Sequence, residues 1–283
     1  MTVYPFIVHL GPLEVTGYGL MLMVAFLMGG WLIARQLREN QLREDYAADI
    51  VAAAVIGGII GAKLWYVALT GDPGALLSRG GLVWYGGFIG GALAVMLNGW
   101  RLKVPLRWTM QLAAPALAAA YALGRVGCFL VNDDYGRPTS LPWGMKFPEG
   151  LPPSTAGNLH QLFGVPIPQG IDPAAVLAVH PTQLYEVATM LIAFAILWTL
   201  RKRGHPVGWL FGLYLTFAGV ERFLVEFVRA KDDRLLGAFT LAQLTSVIII
   251  LIGVFLMILW RRVADPHPGL YLETGKKAGL SKA

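Results

Sequence analysis

Residues 241–260 read LAQLTSVIIILIGVFLMILW and run directly into Arg261 and Arg262. Twenty residues without a charge make a helix of about 30 Å, the thickness of the hydrocarbon core of a bilayer. Six further apolar runs precede it, at Leu13–Ala34, Ala48–Leu69, Leu82–Gly99, Trp108–Phe129, Pro181–Leu200 and Val207–Phe227. Together they predict an all-α, multi-pass membrane protein of about seven transmembrane helices. Composition agrees. Of 283 residues, 56% are hydrophobic and 14% charged, with a mean hydropathy of +0.58, whereas a soluble domain carries roughly 25% charged residues. A disordered chain, a coiled coil and a disulfide scaffold are excluded, the last because Cys128 is alone. Met1–Gly11 has no basic start, so no cleaved signal peptide is expected.

The net charge of +6 raises nucleic acid as a partner, and the placement of the charges argues against it. Arg35, Arg38, Arg43, Arg101, Lys103, Arg107, Arg201, Lys202, Arg203, Arg261 and Arg262 fall at one set of helix ends. Arg79, Arg137, Lys146, Arg229, Lys231 and Arg234 fall at the other. Eleven against six puts the first set in the cytoplasm, the N-terminus outside and the C-terminus inside. The chain then divides into helices one to four (1–129), an outside cap (130–179), helices five to seven (180–264) and a cytoplasmic tail (265–283) that is polar and expected to be partly disordered. The cap is rich in Pro and Gly (Leu151-Pro-Pro, Val165-Pro-Ile-Pro-Gln-Gly). Trp143, Phe147 and Phe163 favour a small folded unit over a loose linker.

Polar groups inside apolar runs are costly and mark function. Arg125 lies near the outer end of helix four with no acid partner in its own helix. It needs an anion from elsewhere: Asp133, Asp134 or a substrate phosphate. Helix six carries Glu221, Arg222, Glu226 and Arg229. Arg222 and Glu226, four apart, share a face and either neutralise each other or serve a site; Glu226 and Arg229, three apart, can also meet. With the orientation above, Tyr18, Lys63, Tyr85, Arg125, His180, Gln183, Tyr185, Glu186, Arg222 and Glu226 all reach the outer leaflet, beneath the cap. Arginines at that depth suit a lipid phosphate, which guanidinium grips with two hydrogen bonds.

Other residues admit two readings. Gly57-Gly58-Ile-Ile-Gly61 and Gly86-Gly87-Phe-Ile-Gly90-Gly91 carry GxxxG spacing, which lets helices approach closely; Gly86 and Gly87 either pack or leave room for a headgroup. Cys128 is a nucleophile or a small apolar filler. His180 is a base or an interfacial side chain bonded to the backbone. No His, Cys and acid spacing points to a metal.

The residues resemble a known pattern. Gly124-Arg-Val-Gly-Cys-Phe-Leu-Val-Asn-Asp-Asp-Tyr-Gly-Arg137 is similar to the signature of the prolipoprotein diacylglyceryl transferases. So are Tyr18-Gly-Leu-Met, Val83-Trp-Tyr-Gly-Gly, His180-Pro-Thr-Gln-Leu-Tyr-Glu186 and Glu221-Arg-Phe-Leu-Val-Glu-Phe-Val-Arg229, all in family order. The resemblance implies transfer of a diacylglyceryl group from phosphatidylglycerol to the lipobox cysteine of a prolipoprotein signal peptide, in the bacterial cytoplasmic (inner) membrane, with no cofactor. It puts Arg125 and Arg222 at the family's essential arginines and Tyr18, Glu226 and Gly136 at other positions that matter. In the expected catalytic set Glu226 would also orient Arg222, and Tyr85 would bond the phosphate or the incoming thiol. Arg125, Arg222, Tyr18, Gly86, Gly87, Gly136, Arg229, His180, Gln183 and Tyr185 would bind the lipid. The chain departs from the family at Cys128 and Val131, where Asn is usual, at Asp133, where Glu is usual, and at Tyr85, where many members carry a His proposed as base. A paralogue with another acceptor, or an anion or lipid transporter without enzymatic activity, are the competing readings.

Overall fold

In hydrocarbon every backbone polar group must be satisfied within the protein, and a helix does so inside its own segment. The computed structural model describes residues 1–11, 13–77, 81–230, 234–236 and 239–273, and it is mostly helical. Each apolar run coincides with a helix: α1 Gly17–Glu39, α2 Tyr46–Thr70, α3 Trp84–Arg101, α4 Leu106–Leu130, α6 Thr182–Leu200, α7 Trp209–Val225 and α8 Leu241–Arg262. A short α5, Ala156–Phe163, lies in the long connection. Five helices, α1, α2, α4, α6 and α8, are long and apolar enough to cross a membrane. Arg79 and Lys231, used above to orient the chain, lie outside the described residues, as does the tail from 274 onward.

α4 is the central helix. It packs on α1, α6 and α7, with Ala116 and Ala119 in the cluster that includes α1 residues and Ala114, Ala118 and Ala122 in the cluster with α6 and α7. α2 and α3 form a hairpin, and α7 pairs with α8. In the hairpin the backbones touch: a Cβ on Gly61 would strike the Gly86 carbonyl, and one on Gly57 would lie 2.6 Å from the Gly90 carbonyl.

Two expectations need correction, and the described part of the tail adds a finding. The first helix does not begin at Leu13. Leu13–Thr16 is a strand, β2, paired antiparallel with β1, Ile7–Leu10, and the Thr16 hydroxyl accepts from the Gly19 amide at 3.2 Å to start the helix at Gly17. The sixth apolar run ends as a helix at Val225, so Glu226 is its cap and Arg229 lies in the turn beyond. Arg229 consequently meets Asp134 rather than Glu226. The tail after Asp265 is folded through Glu273: Leu272 is fully buried, its carbonyl accepts from the Arg43 amide at 2.9 Å, and the Tyr271 hydroxyl bonds Asp49 at 2.5 Å.

The connection from α4 to α6 has its own small core of Tyr135, Phe147, Leu159, Val165, Val179 and Ala230. Tyr135 and Phe147 stack at 5.4 Å. The N-terminal residues lie against it, the Val3 amide donating to the Lys146 carbonyl at 2.9 Å.

Overpacking a tight contact costs about 1–3 kcal/mol. Gly61→Val is therefore expected to lower the thermal midpoint of the detergent-solubilised protein by several degrees, while Ile60→Val, at a position 53% exposed, leaves it unchanged.

Candidate active site

Arg125 projects from the last turns of α4, and the chain after the helix turns back over it. Asn132 and Asp134 make that turn at φ of 59° and 56°, a left-handed conformation that Asn and Asp tolerate better than most residues. The start of the α6 segment holds the turn in place: the Thr182 hydroxyl donates to the Asp134 carbonyl at 2.6 Å, and the buried Gln183 amide donates to the Asp133 carbonyl. Gly136 donates its amide to the His180 carbonyl at 2.8 Å and pairs with Arg229. A Cβ there would collide with the Val228 carbonyl and reach 2.8 Å from His180 and Thr182, so only glycine fits between these strands of chain.

The turn delivers Asp134 to two arginines. One carboxylate oxygen lies 2.8 Å from Arg125 Nη1 and the other 2.9 Å from Arg229 Nη2. Behind the guanidiniums stand buried acids. Glu186, 1% exposed, lies 2.8 Å from Arg125 Nε. Glu226, 3% exposed, is 2.6 Å from Arg222 Nη1, a charge contact without hydrogen-bond alignment. Glu221, also buried, accepts from the Tyr121 hydroxyl at 3.3 Å, and Arg125 lies over the Tyr121 ring. The guanidiniums of Arg125 and Arg222 thus rest on buried acids, Arg229 pairs with the half-exposed Asp134, and all three guanidiniums retain partial exposure.

Tyr18 also reaches the site. It packs over Gly127, whose Cβ position is 3.2 Å from the Tyr18 ring, and lies in the field of Arg125, Cys128, Asp133 and Asp134. Cys128 is buried, with its sulfur 3.7 Å from Arg125 Nη1. Among the described residues, Cys128, Asp133 and Asp134 are the one group with metal-ligating atoms mutually in reach, within 4.8 Å, and Arg125 already donates to two of the three.

The other expected residues have different partners among the described residues. His180 holds the turn with its backbone, while its ring contacts the Tyr185 hydroxyl at 3.2 Å; Trp143 donates to the same hydroxyl at 2.8 Å. Burial holds the His180 imidazole below the usual histidine range. Tyr85 is 64% exposed on α3, edge-on to Trp84 at 5.2 Å. Gly86 and Gly87 face α2, where a Cβ on Gly86 would strike Gly61 and Trp65. Glu186, Glu221 and Tyr121 belong to the arginine network although no local spacing pairs them with it. The signal for Glu186 and Glu221 was their charge within apolar runs.

Apolar helices that gather three guanidiniums and buried acids at one end, beside a folded connection, define a helical, multi-pass membrane protein. The chain belongs to the prolipoprotein diacylglyceryl transferase family, whose model matches residues 5–259. Among similar proteins, the phosphatidylglycerol–prolipoprotein diacylglyceryl transferase of Nitratidesulfovibrio vulgaris (strain Hildenborough) is 32% identical over 268 residues, covering 89% of this chain and 93% of its own. That of Clostridium tetani is 32% identical, covering 89% and 95%. That of Cupriavidus metallidurans is 33% identical, covering 90% and 92%.

The two adjacent aspartates titrate differently. Burial raises both, but Arg229 and Arg125 outweigh it at Asp134 and hold that carboxyl below the usual carboxylate range. At Asp133, burial and the charge of Asp134 push the carboxyl up to about 6. An unfolded aspartate titrates at about 4, so ionised Asp133 costs the fold stability that is lost as pH rises from about 4 to about 6. Asp133→Asn is expected to raise the thermal midpoint at pH 8, with the gain vanishing at pH 4.

Proposed function

We propose that this chain transfers the diacylglyceryl group of phosphatidylglycerol to the lipobox cysteine thiol of an exported prolipoprotein. It would act in the bacterial inner membrane with seven spans, the N-terminus outside and the 130–179 cap in the periplasm. The observation that carries this reading is the cluster of Arg125, Arg222 and Arg229, backed by Glu186 and Glu226. The names of the similar proteins supply the donor and the acceptor.

The acceptor thiolate attacks the glyceryl carbon bonded to the donor's phosphate ester oxygen. A C–S bond forms, the C–O bond breaks, and its electron pair leaves on glycerol phosphate. Negative charge grows on the departing phosphate, and preorganised guanidiniums stabilise it there at no reorganisation cost. Arg125, Arg222 and Arg229 hold the phosphate, with Glu186 and Glu226 balancing the charges of Arg125 and Arg222 from behind. Tyr18 lines the same end. A thiol starts at about 8.5 and falls beside guanidiniums, so the field that binds the phosphate also promotes the nucleophile. Tyr85, whose hydroxyl has no protein partner among the described residues, bonds the incoming thiol or the phosphate from the α3 side. Gly86 and Gly87 set the approach of α3, and Gly136, Gln183, His180 and Tyr185 hold the backbone that carries the charged turn.

An ammonium carries the charge of a guanidinium without its paired donors. Arg222→Lys is therefore expected to lower transfer to a lipobox peptide in phosphatidylglycerol vesicles by about 10²-fold, and Arg125→Ala to abolish it. Cys128→Ser is expected to keep most activity, because the nucleophile belongs to the acceptor. Wild-type rates in the arginine variants, or a lipid adduct on Cys128, would contradict the reading.

A further inference from the structure

Among the described residues that contact the arginines, Asp134 is the one exposed acid. The side chains of Glu186 and Glu226 are 2% and 1% exposed, whereas that of Asp134 is 40% exposed. Its two oxygens are divided between two helix ends, one on Arg125 Nη1 and one on Arg229 Nη2. Arg222 also acts on it through space. A carboxylate that spans two guanidiniums in this way presents two oxygens and one negative charge, as the two non-bridging oxygens of a phosphodiester do.

We propose that Asp134 is an internal competitor for the phosphate site: its carboxylate occupies the positions on Arg125 and Arg229 that the donor's phosphate takes, and it returns to them when glycerol phosphate leaves. This rests on the phosphate reading of the arginine cluster given above. The chemistry explains why such a group helps. The donor is a diester with one negative charge, while the leaving glycerol phosphate is a monoester that takes a second charge near neutral pH. Three guanidiniums without a competing anion would hold the product more tightly than the substrate. A tethered carboxylate weakens the binding of both and offsets product retention. Its backbone is fixed independently, by the Thr182 hydroxyl on its carbonyl, so the side chain can swing away without unravelling the turn.

The test is Asp134→Asn in the full-length protein. Asparagine tolerates the left-handed backbone and keeps the side-chain shape, but its amide places N–H groups against a guanidinium. A half-exposed pair is worth up to about 1 kcal/mol, roughly fivefold in an equilibrium constant. At constant ionic strength, inhibition of transfer by inorganic phosphate is expected to tighten about fivefold, and KM for phosphatidylglycerol to fall with it. A merely structural Asp134 predicts the opposite, since freed arginines would lose their alignment and phosphate would bind more weakly. Should the variant lack turnover, calorimetric titration of the solubilised protein with inorganic phosphate reads the same constant. Asp134→Ser, which keeps no charge, provides a second measure. Phosphate constants unchanged or weakened in the folded variants would overturn the proposal. Absence of transfer by the wild-type protein would instead overturn the transferase reading, with the phosphate titration still reporting on Asp134.

Discussion

A guanidinium at the end of an apolar helix cannot be left alone: placed near a low-dielectric core, its charge must be matched by an acid or held in water. Arg125 meets that constraint twice, with Glu186 from α6 behind it and Asp134 in front. Asp134 carries the same charge network to Arg229, beyond the end of α7. The ends of three helices are therefore tied by one set of ion pairs. The left-handed turn at Asn132 and Asp134, the narrow passage at Gly136 and the side chains of Thr182 and Gln183 serve to keep that set aligned. The buried acids cost stability wherever they lack full pairing. That expense is understandable if the arginine faces must be rigid before a substrate charge arrives.

The rest of the bundle supplies a stiff frame. α4 brings Arg125 to the site on a helix whose alanines let three neighbours approach it. The α2–α3 hairpin is joined by glycines that put carbonyls in contact with Cβ positions. At the opposite end from Arg125, Arg107 ties the chain after α8 to α4, at 3.1 Å from Asp265, and Tyr271 and Leu272 fasten the following residues beside α1 and α2.

How much of this the sequence reveals depends on whether the governing interaction is local. A run such as residues 241–260 dictates a helix because hydrocarbon leaves the backbone no alternative, and the helical runs are legible to within a few residues. Leu13–Thr16 is as apolar as a helix start, but its pairing with Ile7–Leu10 is set by a turn rather than by composition. The Glu226–Arg229 contact fails for a similar reason, since helical spacing no longer applies once the helix stops at Val225. The need for an anion at Arg125 is legible, because an unpaired charge there is untenable. That Glu186 shares the duty with Asp134 is a tertiary fact no spacing encodes. In the polar tail, Tyr271 and Leu272 are anchors too sparse for a compositional reading to detect.

The most direct measurement is a cryo-electron microscopy map of the protein in phosphatidylglycerol nanodiscs, at a resolution that shows the headgroup. The account predicts the donor's phosphorus in front of Arg125 and Arg222, within hydrogen-bond reach of both guanidiniums and of Arg229. A phosphate resolved instead along the exposed face of α3 near Tyr85, with the three arginines bonded only to the protein's own acids, would contradict it.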